Sequence, residues 1–218
     1  MPYIARVIIP GVPHHVTQRG IHWMDVFFSE DDRQAYVDML AEQSRRFGVQ
    51  YLAWCLMSNH IHLIAIPETE TSLAKGIGEA HKHYSRMINL REGWRGYLFQ
   101  GRFFSCPLDG TCIIAAIRYV LRNPVRAGIV RKAWAYPWSS ARWLVGKASD
   151  DPLDEESLEL QEGGDWRALL ATDPGESEVL RRHTRTGRPL GAESFLEHVE
   201  RLTGRSLHLR KPGRKRKE

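Results

Sequence analysis

Residues 50–66 read Gln50-Tyr51-Leu52-Ala53-Trp54-Cys55-Leu56-Met57-Ser58-Asn59-His60-Ile61-His62-Leu63-Ile64-Ala65-Ile66, and the fold class follows from this stretch. Gln50–Leu56 and Ile61–Ile66 are rich in the aromatic and β-branched residues that suit a pleated, half-buried surface. Met57-Ser58-Asn59-His60 is a short connection, so the two runs are predicted to pair as an antiparallel hairpin with His60 and His62 at the start of its second strand.

Upstream, Val7-Ile8-Ile9 is interrupted by Pro10 and Pro13, and His15–Arg19 then alternates up to Gly20, which reads as a first strand with a polar end. Ser29-Glu30-Asp31-Asp32 resembles a capping box with Asp in place of Glu. It opens a helix carrying Ala35, Tyr36, Met39, Leu40 and Phe47 at helical spacing until Gly48 stops it. Downstream, Leu73, Ile77, Tyr84 and Ile88 form one stripe of a second helix, Ser72–Asn89. Tyr97–Pro107 reads as a further strand or hairpin, and Gly110–Asn123 as a third helix closed by Pro124. The order strand, helix, strand, strand, helix, strand, helix predicts an α+β fold, a ferredoxin-like antiparallel sheet with helices packed on one face.

The chain of 218 residues suits one catalytic domain plus additions. Its net charge of +5 is unevenly spread. Residues 1–147 hold 18 Lys/Arg against 11 Asp/Glu, residues 148–204 hold 6 against 14, and residues 205–218 hold 7 against 1. This division predicts a core domain over 1–147, an acidic linker over 148–175, a helical accessory segment over 176–204 with an amphipathic helix at Ala192–Leu202, and a disordered basic tail over 205–218. A basic body suggests a polyanionic partner. No stretch reaches the roughly 20 apolar residues of a membrane span or shows the layout of a secretory signal, so a cytoplasmic protein is expected. Cys55, Cys106 and Cys112 lack metal or disulfide spacing and are expected to be small hydrophobes.

Side chains alternate along a strand, so His60 and His62 project from one face about 7 Å apart, close enough to share a divalent ion. His81 and His83 have the same spacing on a helix, where it separates side chains by about 200°, and are set aside. In the third helix Ile113, Ile114, Ile117, Val120 and Leu121 cluster within about a 120° arc, and Tyr119 falls nearly opposite. A tyrosine set against its own apolar stripe calls for another role. Asn123, one turn on, is placed to offer its amide oxygen to the same ion. A neutral phenol is a poor nucleophile until its electrophile is polarised, and an ion bound to a phosphate oxygen does that. Tyrosine, metal pair and basic body together point to attack on a DNA phosphodiester.

Three blocks carry a family resemblance: Cys55-Leu56-Met57-Ser58-Asn59-His60-Ile61-His62-Leu63, Phe99-Gln100-Gly101-Arg102-Phe103 and Arg118-Tyr119-Val120-Leu121-Arg122-Asn123-Pro124-Val125-Arg126-Ala127-Gly128. They resemble the single-tyrosine HUH transposases, most closely the REP-associated tyrosine transposases. His14–Gly20 and Trp138-Ser139-Ser140 extend the likeness over roughly residues 1–146. The resemblance implies a ferredoxin-like palm, Mg²⁺ or Mn²⁺ as cofactor, and cleavage of single-stranded or hairpin-forming repeat DNA. It implies Tyr119 as the nucleophile that joins a 5′ phosphate and frees a 3′ hydroxyl, with His60 and His62 as metal ligands. Relatives often carry Gln where this chain has Asn123. Arg19, Arg102, Arg118, Arg122 and Arg126 are candidates for phosphate contacts, and Trp23, Trp94 and Phe99 for stacking on bases. Relatives act as monomers or as homodimers that exchange the tyrosine helix. Two other readings stand beside this one: a catalytically silent DNA-binding regulator, and a metal-dependent phosphodiesterase that uses water.

Overall fold

The computed structural model describes residues 5–153, 164–173, 175 and 177–208. The expected hairpin is present as β2 (Val49–Leu56) and β3 (His60–Pro67), closed by Met57 N–H donating to the His60 carbonyl at 2.9 Å. With β1 (His14–Arg19) and β4 (Phe104–Pro107) they form a four-stranded sheet in the order β2-β3-β1-β4, every neighbouring pair antiparallel. This is the expected ferredoxin-like arrangement. The segment expected as a strand from Tyr97 is a strand only from Phe104; before it, Phe99 makes a single bridge to Gly20.

Two helices cover one face. α1 (Glu30–Phe47) starts as its sequence indicates: the Ser29 hydroxyl accepts from Asp32 N–H, and the Asp32 carboxylate accepts from the backbone of Phe28 and Ser29. Asp32 also takes the guanidinium of Arg91 from α2 (Ser72–Glu92), so the cap of one helix anchors the end of the other. Tyr36, Leu40, Ile77 and Tyr84 from these helices pack on Val16, Ile61, Leu63 and Ala65.

The second face corrects the expectation that helices lie on one side only. α3 (Ile113–Leu121) packs on the opposite face, with Ile117, Val120 and Leu121 against Ala53, Cys55, Ile64 and Cys106. Both faces of β2 and β3 are therefore buried, which explains why these strands read as near-continuous apolar runs rather than alternating ones. The short helices α4 (Asn123–Arg126) and α5 (Ala141–Leu144) follow.

The C-terminal third also packs on this face. α6 (Trp166–Ala171), inside the segment expected as a linker, buries Trp166 and Leu170 beside α3. α7 (Ser177–Thr186) lies over β4 and β1. The chain then pairs with the end of β4 through a parallel bridge between Leu108 and Leu190. Gly191 is required there, because a Cβ would sit 2.2 Å from that of Asp109. The amphipathic helix expected at Ala192–Leu202 is α8 (Glu193–Thr203), which buries Val199 against Val7, Ile9 and Leu207. Most of the expected basic tail, residues 209–218, lies outside the described residues. Cys55 and Cys106 are buried and Cys112 is half-buried, all three free. Among the described residues no helix is long and apolar enough to cross a membrane.

Two buried histidines away from the HIH pair set an acid limit on this fold. Burial lowers His14 to about 4 and His81 to about 3. The folded values lie below the unfolded value near 6.5, so the contribution of each is fully present above about pH 6.5 and is lost as pH falls towards its folded value. Urea titrations are expected to show each group costing about 2.5 kcal/mol of stability by about pH 4.5. Stability unchanged between pH 7 and that point would contradict the assignment.

Candidate active site

His60 and His62 lie on the face of β3 that α3 covers, with ring centroids 5.1 Å apart and planes at 85°. Burial drives the His62 imidazole well below its usual range, and burial with the nearby Arg19 charge lowers His60 to about 4. Both rings are therefore neutral near pH 7, the form that binds a metal. His60 Nδ1 is 2.6 Å from the Asn59 side-chain oxygen, whose amide nitrogen in turn donates to the Trp23 carbonyl. An amide oxygen only accepts, so the His60 proton is on Nδ1 and its Nε2 lone pair is free. The donor chemistry fits a divalent ion as a half-site. Among the described residues no group of three or more His, Cys, Asp or Glu side chains could hold one.

A third histidine joins the pair. β1 places Thr17 opposite His62 and His15 opposite Ile64, which brings His15 onto the same face as a diagonal neighbour. Its ring stacks on His62 at 5.2 Å and 6°, with His15 Nε2 3.0 Å from His62 Nδ1. Alternation within β1 does not reveal which strand it pairs with or in what register, so the sequence alone does not place His15 at the site.

Tyr119 on α3 reaches this cluster from above. Its ring meets those of His15 and His62 edge-on, each at 5.6 Å, within one chain. The residue is 3 % exposed, so the side opposite the apolar stripe faces protein rather than solvent. Arg181 Nε from α7 closes that side by donating to the Tyr119 hydroxyl at 3.1 Å, and Arg126 at the end of α4 lies over the ring at 4.0 Å.

Both ends of the Asn123 amide, expected to offer its oxygen to the ion, are engaged within α3 and α4. Its amide nitrogen donates to the Tyr119 and Val120 carbonyls, and its oxygen accepts from Arg126 at 2.8 Å. The cause is local: α3 ends at Leu121, Arg122 leaves helical geometry at φ −87 and ψ 1, and Asn123 starts a new short helix.

The candidate phosphate-contacting arginines divide. Arg118 donates to the Leu169 and Thr172 carbonyls and Arg122 to that of Leu170, so both hold α6 on α3. Arg126 stands at the tyrosine, and its buried Nε has no partner among the described residues. Arg19 stacks on Trp23, which is 66 % exposed. Arg102 lines a groove of about 690 Å³ on the α2 side of the sheet together with Arg6, Lys82, Arg86, Trp94 and Tyr97. Phe99 is buried at the base of this groove, which leaves Trp94 and Tyr97 as its exposed rings.

Residues 14–123, from the start of β1 to just past the tyrosine helix, match the family of IS200-like transposases. The chain belongs to that family. The expected single-tyrosine HUH family is thereby shown, and the matched residues include the strands and helices that carry His60, His62 and Tyr119. A solved REP-associated tyrosine transposase bound to a REP hairpin superposes on this transposase with a TM-score of 0.55 at 17% identity, covering 70% of this chain and 90% of that one. That likeness shows the fold. A candidate transposase from Deinococcus radiodurans R1 gives 0.37 at 14% identity, covering 59% and 92%. No curated protein sequence matches the chain. α6, α7 and α8 all lie beyond the matched segment.

Proposed function

We propose that this transposase nicks and rejoins single-stranded DNA at hairpin-forming repeats through a 5′-phosphotyrosine at Tyr119, with Mg²⁺ or Mn²⁺ held by His60 and His62. The observation that carries this reading is the 5.6 Å approach of the Tyr119 ring to His62 within one chain. In the reaction the Tyr119 oxygen bonds to phosphorus, the bond from phosphorus to the 3′ oxygen breaks, and the phenol's proton ends on the released 3′ hydroxyl. The bond energy is kept in the phosphotyrosine, so a 3′ hydroxyl can attack it later and rejoin the strand without ATP. A bound ion would polarise the phosphate and offset charge built up during displacement. Arg126, beside the ring with an unsatisfied Nε, is placed to hold a phosphate oxygen.

The groove on the far side of the sheet suits the DNA stem or its flank. Burial first, and then the charge of Arg102 beside it, disfavour the charged form of Arg6, a cost that an incoming phosphate would relieve. Lys82 supplies a further cation, and Trp94 and Tyr97 offer ring faces to unpaired bases. The double variant Lys82→Ala/Arg102→Ala is expected to lower the slope of log affinity against log salt by about 1.5, near 0.7 to 0.9 per phosphate contact. An unchanged slope in a fluorescence-anisotropy titration would remove the groove from the DNA path.

One observation favours a second reading, a silent DNA-binding regulator: Tyr119 is almost fully covered and its hydroxyl is bonded to Arg181. Incubation of labelled single-stranded hairpin DNA with the protein and Mn²⁺, followed by a denaturing gel, separates the readings. Cleavage with a protein–DNA adduct supports the proposal. Binding without cleavage supports the regulator, and cleavage without an adduct a phosphodiesterase that uses water.

A further inference from the structure

Thr184 lies on α7, outside the family-matched segment, yet it is 2 % exposed and sits against the histidine cluster. Its hydroxyl donates to the Leu180 carbonyl at 2.9 Å and lies 2.6 Å from His15 Nδ1. A hydroxyl has one proton and a carbonyl has none to give, so the one arrangement in which both contacts are hydrogen bonds has Thr184 donating to Leu180 and accepting from His15. His15 therefore carries its hydrogen on Nδ1. This ring is 1 % exposed and, among the described residues, its nitrogens meet the Thr184 hydroxyl and the His62 ring with no carboxylate to hold a second proton, so its Nε2 is a bare acceptor. Across the 3.0 Å contact the hydrogen must then belong to His62 Nδ1, which leaves His62 Nε2 unprotonated. Cys106 Sγ, 3.3 Å from the Thr184 oxygen, is the hydroxyl's remaining neighbour and is compatible with this order as a weak donor.

We propose that Thr184, acting through His15, is a positioning residue of the metal centre: the chain Leu180 carbonyl, Thr184, His15, His62 fixes the tautomer in which His62 offers Nε2 to a divalent ion. The inference rests on the reading of His60 and His62 as the metal pair. It makes the C-terminal helix α7 part of the active centre rather than an appendage. It also gives His62 the counterpart of what Asn59 does for His60. Ligand histidines whose other nitrogen is held in this way lose about 10- to 100-fold in metal affinity when the holding group is removed.

The test uses the full-length protein, ¹⁵N-labelled at histidine, in three forms: wild type, Thr184→Ser and Thr184→Val. Two-bond ¹⁵N–¹H spectra of the metal-free protein report which nitrogen of His15 and of His62 is protonated, and loss of the free Mn²⁺ signal reports affinity for Mn²⁺ alone. Wild type and Thr184→Ser are expected to show Nδ1–H at both rings. In Thr184→Val the His15 Nδ1–H loses its acceptor, so His15 is expected to move its hydrogen to Nε2, forcing that of His62 onto its ligand nitrogen. Mn²⁺ affinity then falls about 10- to 100-fold. His62 protonated on Nε2 in wild type, or Thr184→Val with wild-type tautomers and affinity, would overturn the proposal. Should the wild-type protein bind no Mn²⁺, the metal reading itself fails, and the tautomer spectra, which need no metal, still decide the relay by the same outcomes.

Discussion

Tyr119→Phe is expected to abolish the protein–DNA adduct and to lower cleavage roughly 10⁴-fold or more, because it removes the proposed nucleophilic atom and little else. The phenyl ring keeps its edge-on packing on His15 and His62 and its place beneath Arg126. What is lost is the hydroxyl and its bond from Arg181, a contact at a guanidinium that is largely exposed. A stability change below about 1 kcal/mol and unchanged hairpin affinity are therefore expected, measured by thermal melting and anisotropy. A variant that still forms the adduct would move the nucleophile elsewhere. The same variant tests which chain supplies the tyrosine. Because Tyr119 meets the histidines of its own chain, a mixture of Tyr119→Phe and His62→Ala proteins should stay inactive; restored cleavage would show that the tyrosine helix is exchanged between subunits.

His60→Ala and His62→Ala carry the second large effect. Each removes one of two side-chain donors with a free nitrogen, and a single imidazole with solvent is a weak site for Mg²⁺ or Mn²⁺. Loss of measurable Mn²⁺ binding and a fall in cleavage of about 10³-fold or more are expected for each, and chelation of the wild-type protein should reproduce the loss. His62 is buried and bonded to His15, so its replacement also disturbs packing. His60 is only half-buried, which makes it the cleaner test. Wild-type cleavage rates in His60→Ala, with Mn²⁺ still bound, would separate the pair from the chemistry.

Most of the scaffold could be read from local chemistry. Ser29 and Asp32 cap α1, Gly48 at φ 63 ends it, and the apolar runs on either side of Met57–His60 pair as a hairpin. Each of these signals lies within a few residues of what it specifies. The distant ones were not legible. His15 becomes part of the site only through its register with β3, 47 residues away from His62 in sequence. Thr184 reaches His15 across 169 residues, and Arg118 reaches α6 across 51. The apolar stripe of α3 sets Tyr119 apart but does not give its burial, since the segment that covers it, around Arg181, lies beyond the acidic stretch 150–162 that reads as a spacer. Asn123 is a different case: a continuous helix through Pro124 would put its amide one turn above Tyr119, whereas with the helix ending before Arg122 its oxygen accepts from Arg126.

In the proposed reaction Tyr119 supplies the oxygen that attacks the DNA strand at the HIH pair. Peptide mapping by mass spectrometry of the adduct formed on hairpin DNA with Mn²⁺ tests it most directly. After trypsin and nuclease digestion, the peptide Tyr119-Val120-Leu121-Arg122 should carry a 5′-linked nucleotide on its tyrosine. An adduct mapped to any other residue, or cleavage that proceeds with this peptide unmodified, would contradict it.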